Sequence, residues 1–253
     1  MFTLVFLFKI ISFFFTSVVY TLVEYFYSIL KNDNTYKQDE IRRSVYNGLT
    51  LVVTETTSVV IFLFLTTKLY TFIWGSIPHT TPVQIMVTVI IIDILYYFYH
   101  RAHHNYPALY TIHRIHHVGT KYNLSLALML PWIGQASIYI MLVPLIFLHI
   151  SPQGIMTAYF FVLTYQLFVH ISYINLPLWC DIFFITPRNH RTHHLHDRNS
   201  QMHNFGAIFS FWDRIFSTYM NDHHKKDIYG IDGTTQKSFW LLEKETATQF
   251  FQK

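Results

Sequence analysis

The sequence HRAHH occupies residues 100–104, HRIHH occupies residues 113–117 and HRTHH occupies residues 190–194. These three boxes contain nine of the 16 histidines in a chain of 253 residues. On an α-helix, residues spaced i, i+3 and i+4 share one face, so each box directs two or three imidazoles the same way. Three such faces exceed the needs of one four-coordinate zinc ion and suit two iron ions. The boxes therefore predict helices that meet at a dimetal centre.

The alternative interpretation is that these histidines are surface or core residues without a shared role. For a lone histidine that interpretation would be the better one, because ligation needs several convergent donors. Three boxes of one form favour a common metal site. The single cysteine, Cys180, excludes an intrachain disulfide framework and cysteine-based iron–sulfur or zinc sites. Histidine must therefore supply the ligands.

The composition is that of a membrane protein. Hydrophobic residues make up 52% of the chain and charged residues only 13%, which is too apolar for an ordinary soluble domain. Five apolar stretches approach the roughly 20 residues that cross a bilayer: residues 1–30, 49–74, 83–99, 129–150 and 153–172. The chain is thus predicted to be an all-α integral membrane protein with four to five transmembrane helices. The first stretch is interpreted as a retained anchor, since no small-residue cleavage site follows it.

The basic residues predict how these helices are oriented. The first polar connection carries Lys31, Lys37, Arg42 and Arg43, whereas residues 75–82 and 151–153 contain no Lys or Arg. Positive connections face the cytoplasm, and counting helices from there places all three histidine boxes on the cytoplasmic side. The same count places two histidines at the opposite end of the membrane: His79 and His149. The net charge of +4 fits a surface against anionic lipid, and nucleic acid is excluded as a partner because the basic residues are dispersed.

Further segments accompany the boxes in a fixed order. They are DILYYFY at residues 93–99, YNLSLAL at 122–128, YQLFVH at 165–170, NFG at 204–206 and WDRIFSTY at 212–219. With these segments the sequence resembles the fatty acid hydroxylase/sterol desaturase superfamily over about residues 49–220. The NLS and YQ-x3-H elements are most similar to alkylglycerol monooxygenase and to bacterial sterol desaturase-like proteins.

The resemblance implies a domain division and a ligand set. Residues 1–48 would form an N-terminal membrane anchor helix with a polar connection, 49–220 the membrane domain, and 221–253 a peripheral tail with at most a short helix around 237–250. A cytoplasmic helical cap formed by residues 99–128 and 178–220 would hold the metals. The implied ligands are His100, His104, His113, His116, His117, His170, His190, His193 and His194. His103 lies outside the family's first box, and contact with a ligand or an exposed position is expected for it.

Polar residues near these ligands are candidates for positioning them. Asp93 lies two helical turns before His100, hence on the same face, and a partner imidazole N–H would offset the cost of a carboxylate in the membrane; a simple polar pair between helices is the alternative. Gln166 replaces a histidine that some relatives carry and could bond a ligand or a metal-bound water. Asn204 and Asp213 are expected to fix the C-terminal segment over the site. Glu55 could line a substrate path or bond a neighbouring helix, and the sequence favours neither.

The resemblance and the ligand chemistry together predict the function. Two imidazole-bound irons can use dioxygen to attack an unactivated C–H bond of a sterol, fatty-acyl or ether lipid, by hydroxylation or desaturation. Electrons would come from an external donor, of cytochrome b5 type, a ferredoxin or a tetrahydropterin, and zinc could replace iron in a purified sample. Two alternatives are a non-catalytic relative that binds lipid or a partner, and a divalent-metal transporter. Transporters usually place their ligands at mid-membrane, whereas these boxes lie beyond the helix ends.

Overall fold

The computed structural model describes residues 2–32, 38–221, 228–232 and 239–251. Within those residues the fold is all-helical, as predicted, with no strand beyond two isolated bridges. The helices are α1 (Phe2–Lys31), α2 (Gln38–Trp74), α3 (Pro82–Asn105), α4 (Pro107–His113), α5 (Trp132–Leu142), α6 (Pro152–Val169), α7 (Pro187–His193), α8 (Arg198–Gln201), α9 (Phe211–Ile215) and α10 (Phe239–Phe251). Short 3-10 helices form Arg114–His117, Leu124–Leu128, Val143–Leu148 and Leu178–Ile182.

Local sequence signals fix both ends of α3, the helix that carries the first histidine box. Thr81 caps its N-terminus in a capping box with Gln84, and Pro82 occupies the first helical turn, where a missing N–H costs nothing. The helix ends at Asn105 because Pro107, two residues later, disfavours a helical conformation for Tyr106. The first box therefore lies in the last turns of α3, immediately before α4 turns away.

The core lies between α2, α3, α5 and α6. Its fully buried members include Ile92 of α3, Leu142 of α5 and Ile155 of α6. These three side chains are aliphatic, and together with aromatic residues such as Tyr159 they hold the helices mainly by van der Waals contact. This packing aligns α3 and α6, the helices that deliver His100 and His170.

The two ends of the helix bundle differ in character. At the end away from the boxes, the indole nitrogen of Trp74 donates to the carbonyl of Ile146 at 3.0 Å, and the hydroxyl groups of Thr80 and Ser151 lie 2.5 Å apart. Both α3 and α6 begin at this end and finish at the histidines. The ring of His149 packs against Trp74 here, with 4.7 Å between ring centroids. The predicted separation of His149 from the boxes is therefore confirmed.

Among the described residues, two helices are long and apolar enough to cross a membrane, by length and composition: Gly48–Trp74 and Pro82–Asn105. The apolar stretch predicted at residues 129–150 contains a shorter apolar segment, Trp132–Leu148. Its α-helix gives way at Val143 to a 3-10 helix that contains Pro144, so it does not form one long regular helix. The prediction of four to five transmembrane helices is thus supported for two of them and stays a prediction for the others.

Both terminal helices contact the region of the boxes. The carboxylate of Glu24 in α1 accepts from the backbone N–H of Leu124 at 2.8 Å and of Ser172 at 2.6 Å. In α10, Leu242 is fully buried, and Glu245 lies 3.8 Å from Arg114, which follows α4. A helix around residues 237–250 was predicted and α10 forms it; the division into three segments remains a prediction. The sequence also predicts that His223 and His224 are exposed, and both lie outside the described residues.

Candidate metal centre

Nine histidines from five chain segments meet at one end of the bundle. They form a first group of His100, His104, His113, His117 and His193, and a second group of His116, His170, His190 and His194. Within each group the ring nitrogens lie within 4.8 Å of one another. None of the nine side chains is more than 7% exposed. These are the nine residues that the sequence singled out, and the structure brings all of them together.

The site is built largely from the C-terminal ends of helices. His100 and His104 lie in the last turns of α3, His113 is the last residue of α4, and His170 caps α6. His193 ends α7 and His194 caps it. Unpaired carbonyl groups give a helix C-terminus a partial negative charge, which stabilises a nearby cation. Convergence of several such ends therefore adds a field that favours a metal ion over an anion.

The nitrogens face one another at the separations expected of ligands. In the first group, Nε2 of His113 lies 3.1 Å from Nε2 of His100 and 3.3 Å from Nε2 of His117. In the second, Nε2 of His170 lies 3.2 Å from that of His116 and 3.1 Å from that of His190. Ligand nitrogens at about 2.1 Å from one ion, at octahedral or tetrahedral angles, lie roughly 3.0–3.4 Å apart.

Carbonyl groups fix which nitrogen of several rings carries the proton. The Nδ1 of His100 lies 3.0 Å from the carbonyl of Phe205, and Nδ1 of His170 lies 2.6 Å from that of Gln166. The Nδ1 of His193 likewise contacts the carbonyl of His203 at 2.8 Å. A carbonyl only accepts, so Nδ1 is protonated in each ring and Nε2 presents a lone pair to the group. These three rings therefore offer an unprotonated nitrogen that can bind a metal ion.

Unpaired buried atoms also fit a metal ion. Among the described residues, neither ring nitrogen of His104 has a hydrogen-bond partner, and the same is true of Nε2 of His193. A buried polar atom without a partner is costly, and native proteins rarely leave one. Ion coordination would satisfy one nitrogen of His104 and Nε2 of His193, so the residues present fit two metal ions with imidazole ligands.

Burial and crowding keep the rings neutral, as ligands must be. Burial, followed by neighbouring imidazoles, lowers the pKa of His117, His190 and His194 well below the usual value. Neutral imidazole is the form that binds metal.

These lowered pKa values predict how stability depends on pH. In the unfolded chain a histidine titrates near about 6.5, whereas in the folded protein these rings stay neutral to lower pH. Below about pH 6.5 the unfolded state therefore binds more protons than the folded state. The free energy of unfolding should decrease as the pH is lowered. Thermal unfolding of the metal-free protein at pH 7.5, 6.5 and 5.5 should show a falling midpoint. An unchanged midpoint would mean that the rings are already accessible to protons in the folded state.

The profile of the fatty acid hydroxylase family matches residues 85–218, which include all nine histidines. This chain belongs to the fatty acid hydroxylase family. The superfamily suggested by the sequence is confirmed.

Relatives of characterised function match much of the chain. Alkylglycerol monooxygenase from Homo sapiens is 29% identical over 167 residues, which cover 64% of this chain and 37% of that protein. The enzyme of the same name from Danio rerio is 30% identical, with the same coverage of 64% and 37%. An ornithine lipid hydroxylase from Rhizobium tropici is 29% identical over 62% of this chain and 48% of its own length. The match thus spans less than half the length of each of these relatives. No solved structure matches the chain.

Asp93 lies beside the site with partners other than the predicted one. Its carboxylate accepts from the backbone N–H of Ile208 at 2.7 Å and of Phe209 at 3.3 Å, and from the indole of Trp212 at 2.7 Å. The predicted contact with a ligand imidazole is therefore wrong, because the nearest imidazole on this face, His100, is already held by the carbonyl of Phe205. Asp93 instead holds the segment that provides that carbonyl.

Asn204 and Asp213 fix the same segment, as expected. The Asn204 amide donates to the carbonyls of Asn189 at 3.0 Å and Met220 at 2.9 Å. Asn204 also has a φ of 58°, in the left-handed region that asparagine tolerates better than most residues. The carboxylate of Asp213 accepts from the N–H groups of Phe205 and Gly206, both at 2.8 Å. The backbone carbonyls of Phe205 and His203 thereby face His100 and His193.

Gln166 and His103 each occupy positions that match only part of what the sequence predicts for them. The side chain of Gln166 donates to the carbonyl of Ala207 at 2.7 Å, and it is the backbone carbonyl of Gln166 that contacts His170. His103 is 3% exposed, so its alternative position at the surface is excluded. It also lies outside both histidine groups.

Two roles were predicted for Glu55: lining a substrate path or bonding a neighbouring helix. Its carboxylate accepts a hydrogen bond of 2.5 Å from the hydroxyl of Tyr139 in α5. Glu55 therefore bonds a neighbouring helix.

Proposed function

We propose that this chain is a membrane-bound oxidoreductase that holds two iron ions in its two histidine groups and hydroxylates a C–H bond of a lipid. The observation that carries the proposal is the pair of adjacent groups whose Nε2 atoms converge at 3.1–3.3 Å. An all-imidazole set of nine ligands suits two irons better than one zinc ion. The family and the lipid-oxidising relatives support the same chemistry.

When bound, two irons would supply the redox chemistry: dioxygen, two electrons and two protons convert a C–H group into C–OH and release water. The chain's own contribution is to hold the ligand rings in fixed orientations and to keep bulk water away from them. Carbonyls of Phe205, His203 and Gln166 orient three of the rings, and such outer contacts tune ligand basicity. Near-complete burial of all nine rings excludes solvent.

A cavity gives the substrate a place beside both groups. It has a volume of about 60 Å³ and its wall includes His113 of the first group and His116 and His170 of the second. The remaining wall comes mostly from apolar and aromatic side chains of α3, α5 and α6, including Ile138 and Leu163. A narrow apolar cavity that reaches both groups from between the helices fits an alkyl chain entering from a bilayer.

We further propose that the chain crosses the membrane several times with the histidine groups at the cytoplasmic side. The chain includes no haem, flavin or iron–sulfur motif, so the electrons would come from an external donor: a cytochrome b5-type protein, a ferredoxin or a tetrahydropterin. The histidine groups lie at helix ends, whereas transporters usually hold their ligands at mid-membrane, and this supports an enzyme over a metal transporter.

Oxygen uptake and lipid mass spectrometry together test this function. Iron-loaded protein, given a chemical reductant and a total lipid extract under ¹⁸O₂, is expected to consume oxygen and form a lipid that carries one ¹⁸O atom. Zinc-loaded protein is the control and should do neither, because zinc has no redox chemistry. Absence of both uptake and product would leave a lipid-binding role; a product lacking two hydrogens and free of ¹⁸O would replace hydroxylation by desaturation.

A further inference from the structure

His103 is a buried histidine that the metal groups do not use. It is the middle residue of the first box, and its ring forms part of the wall of the cavity of about 60 Å³ beside the two groups. The ring centroid lies 6.0 Å from that of His113, a member of the first group. His103 is thus close to the reaction site without belonging to either group.

The contacts of this ring determine what it can bind. Its Nδ1 lies 2.8 Å from the backbone carbonyl of Tyr99, and the ring packs on the Tyr99 ring with 3.9 Å between centroids. Because a carbonyl only accepts, Nδ1 carries the proton and Nε2 is left as an acceptor. That Nε2 is buried and has no hydrogen-bond partner among the described residues. The tautomer and the position of the ring are both fixed in advance.

Two neighbouring rings of the cavity wall already have partners. The hydroxyl of Tyr99 is bonded to the carbonyl of Gly134 at 3.1 Å and lies 2.7 Å from the hydroxyl of Ser137. The Nδ1 of His170 is bonded to a carbonyl, and its Nε2 faces the second group. A buried acceptor without a partner is unfavourable in the free protein, so a ligand that donates to it is favoured over one that does not.

We propose that Nε2 of His103 accepts a hydrogen bond from a hydroxyl or amide N–H at the polar end of the lipid. This inference rests on the proposed function and narrows its substrate class to lipids with such a donor. Because His103 lies next to His113, the donor group would be held beside the metal groups. The carbon that is oxidised would then lie a few bonds from the polar end, and a lipid with no donor near that end would be a poor substrate.

The test combines two changes, one in the lipid and one in the protein. The probes are a monoalkylglycerol and an N-alkyl amide, each compared with its O-methylated or N-methylated counterpart of equal chain length. Binding is measured with zinc-loaded protein and turnover with iron-loaded protein. For the wild type, methylation of the donor should weaken binding or lower kcat/KM roughly tenfold or more, because a buried acceptor is left unpaired. Comparison of the alkylglycerol pair with the alkyl amide pair shows whether a hydroxyl or an amide N–H is the preferred donor.

In the variant His103→Phe, the methylated and unmethylated probes should bind equally, and the metal content should be that of the wild type. His103→Gln keeps an acceptor oxygen and should retain part of the preference, which covers the case in which the phenylalanine variant fails to fold. Exposed His79 provides the control, since His79→Phe should leave the preference intact. An equal effect of methylation in wild type and His103→Phe would overturn the proposal, and so would the absence of any methylation effect in the wild type or the loss of metal from both His103 variants.

The outcomes separate this proposal from the proposed function. A donor preference in binding that depends on His103, without any oxidised product, would support the binding site and contradict the hydroxylase. Oxidised product formed at the same rate from methylated and unmethylated probes would support the hydroxylase and overturn the role of His103.

Discussion

Replacement of His117 by alanine is expected to remove at least one metal ion and to lower turnover more than about 100-fold, beyond the penalty for losing an outer contact. His117 belongs to the first group, is 1% exposed and lies 3.3 Å, nitrogen to nitrogen, from His113. No distant side chain can take its place, because the site is enclosed by rings that already have fixed positions. Metal analysis of purified protein and oxygen uptake with lipid measure the two effects.

The matched control is His79→Ala, an exposed histidine at the other end of the bundle. It should leave metal content and turnover unchanged. If both variants lost metal equally, the assignment of the metals to the nine buried histidines would be incorrect.

Replacement of Asp93 by asparagine is expected to lower metal affinity or turnover about 10- to 100-fold while the protein stays folded. The carboxylate accepts from three N–H groups on a distant segment, at 2.7, 3.3 and 2.7 Å. Asparagine keeps one acceptor oxygen and adds an amide that only donates, so at least one N–H would face another donor. That segment carries the carbonyl of Phe205, and its displacement would loosen His100.

Metal affinity measured by competition with a chelator, together with helix content, tests this expectation. Asp232→Asn is a suitable control, because the Asp232 side chain is 96% exposed and pairs only with His196 at 3.6 Å in the ion pairs described. If Asp93→Asn had the metal affinity and turnover of the wild type, Asp93 would have only a packing role.

Much of the site could be predicted because the chemistry is concentrated in a repeated local pattern. Three boxes at helical spacing, with the flanking segments of the family, identified the nine histidines, and the buried rings that meet in space are the same nine. The all-helical architecture followed from long apolar stretches without turn signals. Both predictions use local patterns, in which the residues that matter lie close together along the chain.

What could not be predicted depends on long-range or backbone geometry. Two of the three partners of Asp93 are backbone N–H groups more than a hundred positions away, and a backbone amide leaves no mark in the sequence. The distribution of the rings between groups also escaped prediction. His116 and His117 lie in a 3-10 helix, where three residues make a turn, so neighbouring side chains diverge by about 120°. The interrupted helix after Val143 is hidden by its uniformly apolar sequence.

The interleaving of the two groups has a consequence for how the protein matures. His116 and His117 are adjacent in the chain but belong to different groups. The same is true of His193 and His194. Neither group is complete until the third box has left the ribosome and folded back on the first two. A nascent chain that ends before residue 190 offers four of five nitrogens to one ion and two of four to the other. In the proposed dimetal protein, metal delivery is therefore expected to be a late event in biogenesis, with both ions becoming tightly held at nearly the same moment.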